Sequence, residues 1–397
     1  MKYVIVGNGI AGTTAALNIR KLDNASEIII ISEEAYPFYS RIRLIDYLAG
    51  ETDERGLIIF KDEWYEKNRI LPILNTKVVD ISPDSKEIAL SDSQKIKYDR
   101  LLIATGGNSF VPPIAGSDKN GVFTLRNIAD AKKIKEYSKD KDSIIILGGG
   151  VLGIEAGNAL RKTGKAVSIV EFFPRLLPRQ MDKDGSEILK KTLENMGLRF
   201  YLDARAKEIV GENDVRGLLL EDGRLVEGGM IVISAGIRPN TLLLENIGIK
   251  PGKGIPVNDR METAINDIYA AGDLVEHRGV FYGIWPAAEK QGEVAGINMA
   301  GGNALYEGTL PSNILKVAGV ELLSAGDIDA EGKLESIVSK DADKGIYKKI
   351  VIKDNCVVGC ILCGNMEGKK EILTAIKESL NISEMKNILD ELKFIQA

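Results

Sequence analysis

Gly7-Asn8-Gly9-Ile10-Ala11-Gly12 and Gly148-Gly149-Gly150-Val151-Leu152-Gly153 repeat one glycine pattern in a single chain, each directly after an apolar, β-branched run. Lys2 to Val6 leads into the first and Ser143 to Leu147 into the second, so each glycine set stands between a buried strand and a helix start. That is the context a dinucleotide-binding βαβ unit requires. The first glycine allows the tight turn, the second lets main chain approach a pyrophosphate, and the third lets the helix pack on its strand. The helix N-terminus then presents about half a positive charge to the phosphates. Two copies imply two dinucleotides.

Each copy has an acid near the end of its second strand, Glu33 after Glu27 to Ile31 and Glu171 after Ala166 to Val170. These carboxylates are suited to accept the adenosine ribose hydroxyls. A 2′-phosphate beside Glu171 would meet a like charge. The second site therefore favours NAD over NADP, with Arg175 nearby as the opposing influence.

A chain of 397 residues exceeds what one core serves, so two or three domains are expected. The net charge of −5 argues against a nucleic-acid binder, which needs concentrated Lys and Arg. The N-terminus begins inside the first strand and Gly7 interrupts the apolar run, so neither signal peptide nor membrane span is expected, and a cytoplasmic location follows. Cys356, Cys360 and Cys363 have a spacing that can ligate an iron–sulfur cluster. Flanked by Val357, Val358, Ile361 and Leu362, they read instead as small core residues of a strand, with Cys363 facing opposite to Cys360. No cysteine pair lies near the first glycine motif, which removes a redox disulfide, and His277 is the sole histidine, which removes a Cys–His couple.

Leu101 to Gly107 closes the first block and Met230 to Gly236 closes the second in the same style, an apolar strand ending in a small residue and glycine. Ile268 to Asp273 is another such strand without its own fingerprint, expected to rejoin the first block. Pro286 to Ala300 has Ala, Val and Ile at helical spacing, and Lys132 to Lys141 reads as a solvated helix face. Beyond Leu310 come short strands at Ile314 to Val317, Glu335 to Val338, Tyr347 to Ile352 and Val357 to Leu362, then helices at Lys369 to Leu380 and Glu384 to Phe394. The expected fold is α/β, with two Rossmann-like domains and a small α+β C-terminal domain. Its expected segments are 1–110, 111–234, 235–309 and 310–397.

The combination of the Gly7 motif, Ala104-Thr105-Gly106, the Gly148 motif extended by Glu155, Gly236-Ile237-Arg238-Pro239-Asn240 and Ala271-Gly272-Asp273 resembles the FAD-dependent pyridine nucleotide oxidoreductases. The resemblance runs from Met1 to about Gly364. It implies that segments 1–110 and 235–309 bind FAD, that 111–234 binds NADH, and that the end domain covers the flavin. Gly7, Gly9, Ile10, Ala11, Gly12, Glu33, Glu34, Arg41, Val78, Thr105, Gly106, Gly272 and Asp273 become candidates for holding FAD. Gly148, Gly150, Val151, Leu152, Gly153, Glu171 and Gly236 join the cofactor-binding set. Glu155 is the candidate catalytic residue, beside the nicotinamide and flavin rings.

Thiol-using branches carry a cysteine in the helix after the second strand, a stretch that here reads Tyr36-Pro37-Phe38-Tyr39-Ser40-Arg41-Ile42-Arg43-Leu44. Its aromatic-x-Arg-x-Arg-Leu pattern is similar to NADH:rubredoxin oxidoreductases and to the flavin-binding front end of assimilatory nitrite reductases, which extend hundreds of residues further. Ile314 to Gly319 also resembles the rubredoxin reductase group. The resemblance implies hydride passing from nicotinamide to flavin, a step the cofactors carry while the protein holds the rings in contact. Without an internal cysteine pair, the electrons go to an external acceptor, and a rubredoxin or similar small electron-transfer protein fits. Arg41 and Arg43 either clamp the FAD pyrophosphate or, with Lys316, form a basic docking patch; either arginine could replace the lysine that many members place beside flavin N5. Trp285 either stacks near the flavin or fills the core. An NADH oxidase reducing oxygen and an NADH-responsive sensor are the alternatives.

Overall fold

The computed structural model describes residues 1–309 and 318–383, and the backbone of 312–317, 384 and 385. From residue 386 on, the helix expected over Glu384 to Phe394 lies outside the described residues, as does the side chain of Lys316. Along the chain, β1 (Lys2–Val6), α1 (Ile10–Leu22), β2 (Glu27–Ile31), β3 (Ile70–Ile73) and β4 (Arg100–Ile103) form the first block. The second contains β5 (Val122–Thr124), β6 (Ser143–Leu147), α2 (Val151–Lys162), β7 (Ala166–Val170), α3 (Lys183–Asn195), β8 (Leu198–Tyr201) and β9 (Met230–Ile233). After β10 (Ile268–Ala270) and α4 (Trp285–Met299), the end block has β11 (Ser312–Val317), β12 (Val320–Gly326), β13 (Glu335–Asp341), β14 (Ile346–Lys353), β15 (Cys356–Cys363) and α5 (Lys369–Glu378).

The chain forms two compact units: residues 1–43, 53–108 and 237–309, and residues 44–52, 109–236 and 310–397. In the first unit the sheet order is β10-β4-β1-β2-β3, with every pairing parallel. Val4, Ile5, Leu101 and Leu102 are fully buried in it, as strands covered on both faces demand. β10 thus rejoins the first sheet, as its lack of a fingerprint of its own suggested. In the second unit the order β8-β7-β6-β9-β5 repeats the same parallel plan. In both sheets the order reverses beside the first strand of the βαβ pair, and the crevice beyond the carboxyl ends of such strands is where ligands bind. Each glycine motif stands at that point.

The end block has a third sheet, antiparallel in the order β11-β12-β15-β14-β13. Helix α5 packs its buried Ile372, Ala375 and Ile376 with Leu323, Ile350 and Leu362 of that sheet. Strand β12 has no counterpart among the expected strands, because Val320-Glu321-Leu322-Leu323 lacks clean alternation.

One local expectation is corrected. Residues 36–43 are not helical; the helix begins at Leu44. Their backbone bonds go sideways instead of to the fourth residue along. Phe38 N–H donates to the Tyr65 hydroxyl at 3.0 Å, and the Phe38 carbonyl accepts from Ile59 at 2.9 Å and Phe60 at 3.1 Å. Pairing with residues 58–60 thus takes the main-chain groups a helix would have used.

Candidate functional site

The two glycine loops have the same backbone. Gly7 has φ +118° and Gly148 φ +123°, a region that side-chain-bearing residues rarely enter. Gly7 N–H donates to the Ile31 carbonyl and Gly148 N–H to the Val170 carbonyl, both at 2.8 Å. Gly9 and Gly150 are the N-cap residues of α1 and α2, and neither helix has a side-chain cap. A Cβ built on either glycine would meet nothing within 4 Å. Uncapped helix N-termini behind open backbone suit a pyrophosphate. Ile10, Ala11 and Gly12 follow in the first turn of α1, and Val151, Leu152 and Gly153 in that of α2.

The first loop also holds a residue the glycine pattern leaves unspecified. Asn8 Oδ1 accepts from the Tyr65 hydroxyl at 2.9 Å, while its buried Nδ2 has no partner. An orphaned buried amide costs about 1–3 kcal/mol unless a ligand accepts from it. That atom, with the uncapped helix, fits a dinucleotide at this loop. Gln291 belongs to no motif of the sequence; it is buried in α4 and its Oε1 accepts from Gly272 N–H at 2.9 Å.

The two acids are placed differently. Glu171 follows β7 directly and is buried, its Oε2 accepting from Gly149 N–H at 2.5 Å and its Oε1 from Phe173 N–H at 2.8 Å. Two main-chain donors hold this carboxylate against the glycine loop. By the strand pairing, Ser32 is the first-unit counterpart of Glu171: Ser32 N–H donates to Ile73 O as Glu171 N–H does to Tyr201 O. Glu33 is one residue further along and exposed, with Lys77 Nζ at 3.9 Å. Glu34 forms an ion pair with Arg41, and Tyr39 donates to Glu34 Oε2 at 2.5 Å. Arg41 also donates to the Tyr39 hydroxyl at 2.9 Å, whereas Arg43 is exposed and donates to the Gly56 carbonyl at 2.5 Å.

Thr105 Oγ1 donates to the Asn240 carbonyl at 3.1 Å, and the Gly106 carbonyl accepts from Asn240 N–H at 2.9 Å. The Gly236 carbonyl accepts from Phe110 N–H at 2.9 Å. Gly272 has φ +88°, and half-buried Asp273 interacts electrostatically with Arg41. The Val78 side chain is in the core beside Val4, Val6 and Ile29, which leaves its main chain as the part suited to contact a cofactor. Trp285 opens α4 with its ring 6.0 Å from that of Phe38. Half-buried Glu155, in α2, accepts from Ala318 N–H at 3.1 Å, in the turn joining β11 to β12.

Cys360 and Cys363 are fully buried, and burial pushes their thiols up to about 12 and about 11. Thiolate is the reactive form. At mildly alkaline pH the native protein should therefore react with a disulfide reagent at no more than Cys356, and at all three cysteines once denatured. Rapid native reaction of all three would contradict this placement. Among the described residues, no helix is long and apolar enough to cross a membrane.

The family profile described as pyridine nucleotide-disulphide oxidoreductase matches residues 1–292, and the rubredoxin NAD+ reductase C-terminal domain matches 311–380. The NAD(P)H nitrite reductase of Bacillus subtilis is 38% identical over 98% of this chain and 48% of its own length. The NADH-rubredoxin oxidoreductase of Clostridium acetobutylicum is 34% identical over 98% of this chain and 99% of its own, and its crystal structure matches with a TM-score of 0.84 over the same shares. The NADH oxidase of Methanocaldococcus jannaschii is 33% identical over 98% of this chain and 94% of its own. The chain spans about half the length of the first curated relatives it matches, at 48% and 51%.

Proposed function

This chain belongs to the pyridine nucleotide-disulphide oxidoreductase family, and from that premise we propose that it is an NADH-dependent FAD reductase whose electrons leave to a one-electron protein acceptor, rubredoxin first among them. In this reading FAD is held by segments 1–110 and 235–309, NADH by 111–234, and 310–397 is the end domain. A cytoplasmic location goes with it. The observation that carries the external acceptor is that all three cysteines are on β15, so the stretch after the first glycine motif carries no thiol pair of its own. The match of residues 311–380 to a rubredoxin reductase C-terminal domain supports the acceptor.

When bound, FAD supplies the switch from two-electron to one-electron transfer: NADH gives two electrons and a proton, and two rubredoxins each take one electron. The chain's own residues bind and orient. The uncapped helix starts at Gly9 and Gly150 take the two pyrophosphates, Asn8 Nδ2 finds an acceptor there, and Glu171 takes the ribose of NADH. Asp273 and Thr105 line the flavin side, and Glu155 steadies the nicotinamide end of the second site. Exposed Arg43, which donates to the Gly56 carbonyl, is the candidate docking cation for an acidic acceptor.

The M. jannaschii NADH oxidase, matched over 94% of its length, favours oxygen as the second reading. Anaerobic NADH oxidation with rubredoxin, run beside an aerobic cuvette without it, separates the two. Fast rubredoxin reduction with slow oxygen use is expected; fast oxygen use with little rubredoxin reduction would replace this reading by the oxidase.

A further inference from the structure

Arg175 is four residues beyond Glu171, in a loop that folds back on the second glycine motif, where Leu177 N–H donates to the Gly149 carbonyl at 3.1 Å. A guanidinium beside the ribose acid is what would let a 2′-phosphate bind, since that group carries about two negative charges. Here it is already engaged. Arg175 Nη2 pairs with Glu331 Oε1 at 2.8 Å and reaches the Pro178 carbonyl at 3.5 Å, while Nε is buried without a partner. Of the other arginines around this loop, Arg179 is exposed and Arg205 lies 5.0 Å over the Phe172 ring.

Glu331 is not on a loose loop. It stands between β12 and β13 in a turn fixed by Asp329, whose Oδ1 accepts from Lys333 N–H at 2.8 Å and whose Oδ2 accepts from Leu334 N–H at 2.9 Å. The Asp329 carbonyl accepts from buried Lys349 Nζ at 2.9 Å, which ties the turn to the end sheet. A carboxylate from the end block is thus held against a guanidinium of the Glu171 loop.

We infer that Glu331 is a specificity-determining residue: by engaging Arg175 it withholds that guanidinium from a 2′-phosphate and keeps the second site selective for NADH over NADPH. The inference rests on the reading of this site as an NADH site. Glu331 is on the solvent side of the pair, with 63% of its side chain exposed against 19% for Arg175. Its substitution should leave the fold intact, and exposed pairs of this kind are worth up to roughly fivefold in an equilibrium constant.

The test is calorimetric titration of the FAD-loaded protein with NAD+ and with NADP+, for wild type, Glu331→Gln and the double variant Glu331→Gln/Arg175→Gln. Glu331→Gln should bind NADP+ about fivefold more tightly, with NAD+ unchanged within about twofold, and the double variant should lose that gain. No gain in Glu331→Gln, or an equal gain in the double variant, would overturn the role of Glu331. Wild type that binds neither nucleotide would instead sink the NADH reading beneath it.

Discussion

Gly7→Ala is expected to lose FAD, whereas Gly148→Ala is expected to keep FAD and lose NAD+. At Gly7 an added Cβ would be 2.1 Å from the Ala104 carbonyl oxygen, and at Gly148 2.2 Å from that of Ser234. Both obstacles are backbone, so no rotamer change relieves them. Overpacking costs about 1–3 kcal/mol, and forcing a side-chain-bearing residue to positive φ adds about 1–2 kcal/mol. The sum, about 2–5 kcal/mol, falls on a loop whose shape is the binding surface, so affinity should drop at least about thirtyfold. Titrating each apoprotein with FAD and each FAD-loaded protein with NAD+ checks this, with far-UV circular dichroism confirming the fold. Equal loss of both cofactors in both variants would undo the assignment of one loop to each.

Asp182→Ala should destabilise the second unit by about 2–4 kcal/mol, through a lost helix cap and a buried hydroxyl left without its acceptor, while Lys349 Nζ keeps the Asp329 carboxylate at 3.9 Å. Asp182 Oδ1 accepts from Gly185 N–H at 3.0 Å and so caps α3. Its Oδ2 accepts from the Tyr347 hydroxyl at 2.6 Å and pairs with Lys349 Nζ at 3.1 Å, where the lysine side chain is 3% exposed. Burial, and then the hydrogen bond to Asp182, hold the Tyr347 hydroxyl protonated far above the ordinary phenol range. Alanine would remove the cap, the anion and the acceptor together. Asp182→Asn keeps a cap and an acceptor but not the charge, so it should fall between wild type and alanine. Urea unfolding followed by circular dichroism measures both, and an alanine variant within about 1 kcal/mol of wild type would mean the cap and the acceptor are replaced by water.

Most of the fold was legible because its signals are local. The glycine motifs, the strands before them and the Gly-ended strands at Leu101, Met230 and Ile268 each depend on residues adjacent in sequence, and all three closing strands join the sheets expected of them. The site was legible only in part, for a physical reason. Glu33 and Glu171 look alike as acids after a strand, yet β2 ends two residues before Glu33 while β7 ends directly before Glu171, so only Glu171 reaches its glycine loop. Tyr65, Asn8 and Gln291 carry no motif; each matters through a partner distant in sequence. Likewise α4 reads as a helix packing through Ala, Val and Ile, but its closest approach is through glycine: a Cβ on Gly292 would be 2.2 Å from the Ala11 carbonyl and one on Gly296 2.4 Å from that of Ala15.

What the sequence determined by itself is the architecture and the pair of dinucleotide loops, because a tight turn, a strand and a helix start are chosen by short-range sterics and hydrophobic period. Which charges are available to a ligand was decided by the tertiary structure. Arg41 is engaged by Glu34, Arg175 by Glu331 and Lys349 by Asp182, and no spacing rule encodes those meetings. A charged side chain's role follows from what else lies within about 4 Å of it, and in this protein chain segments far apart in sequence supply that partner for Arg175 and Lys349.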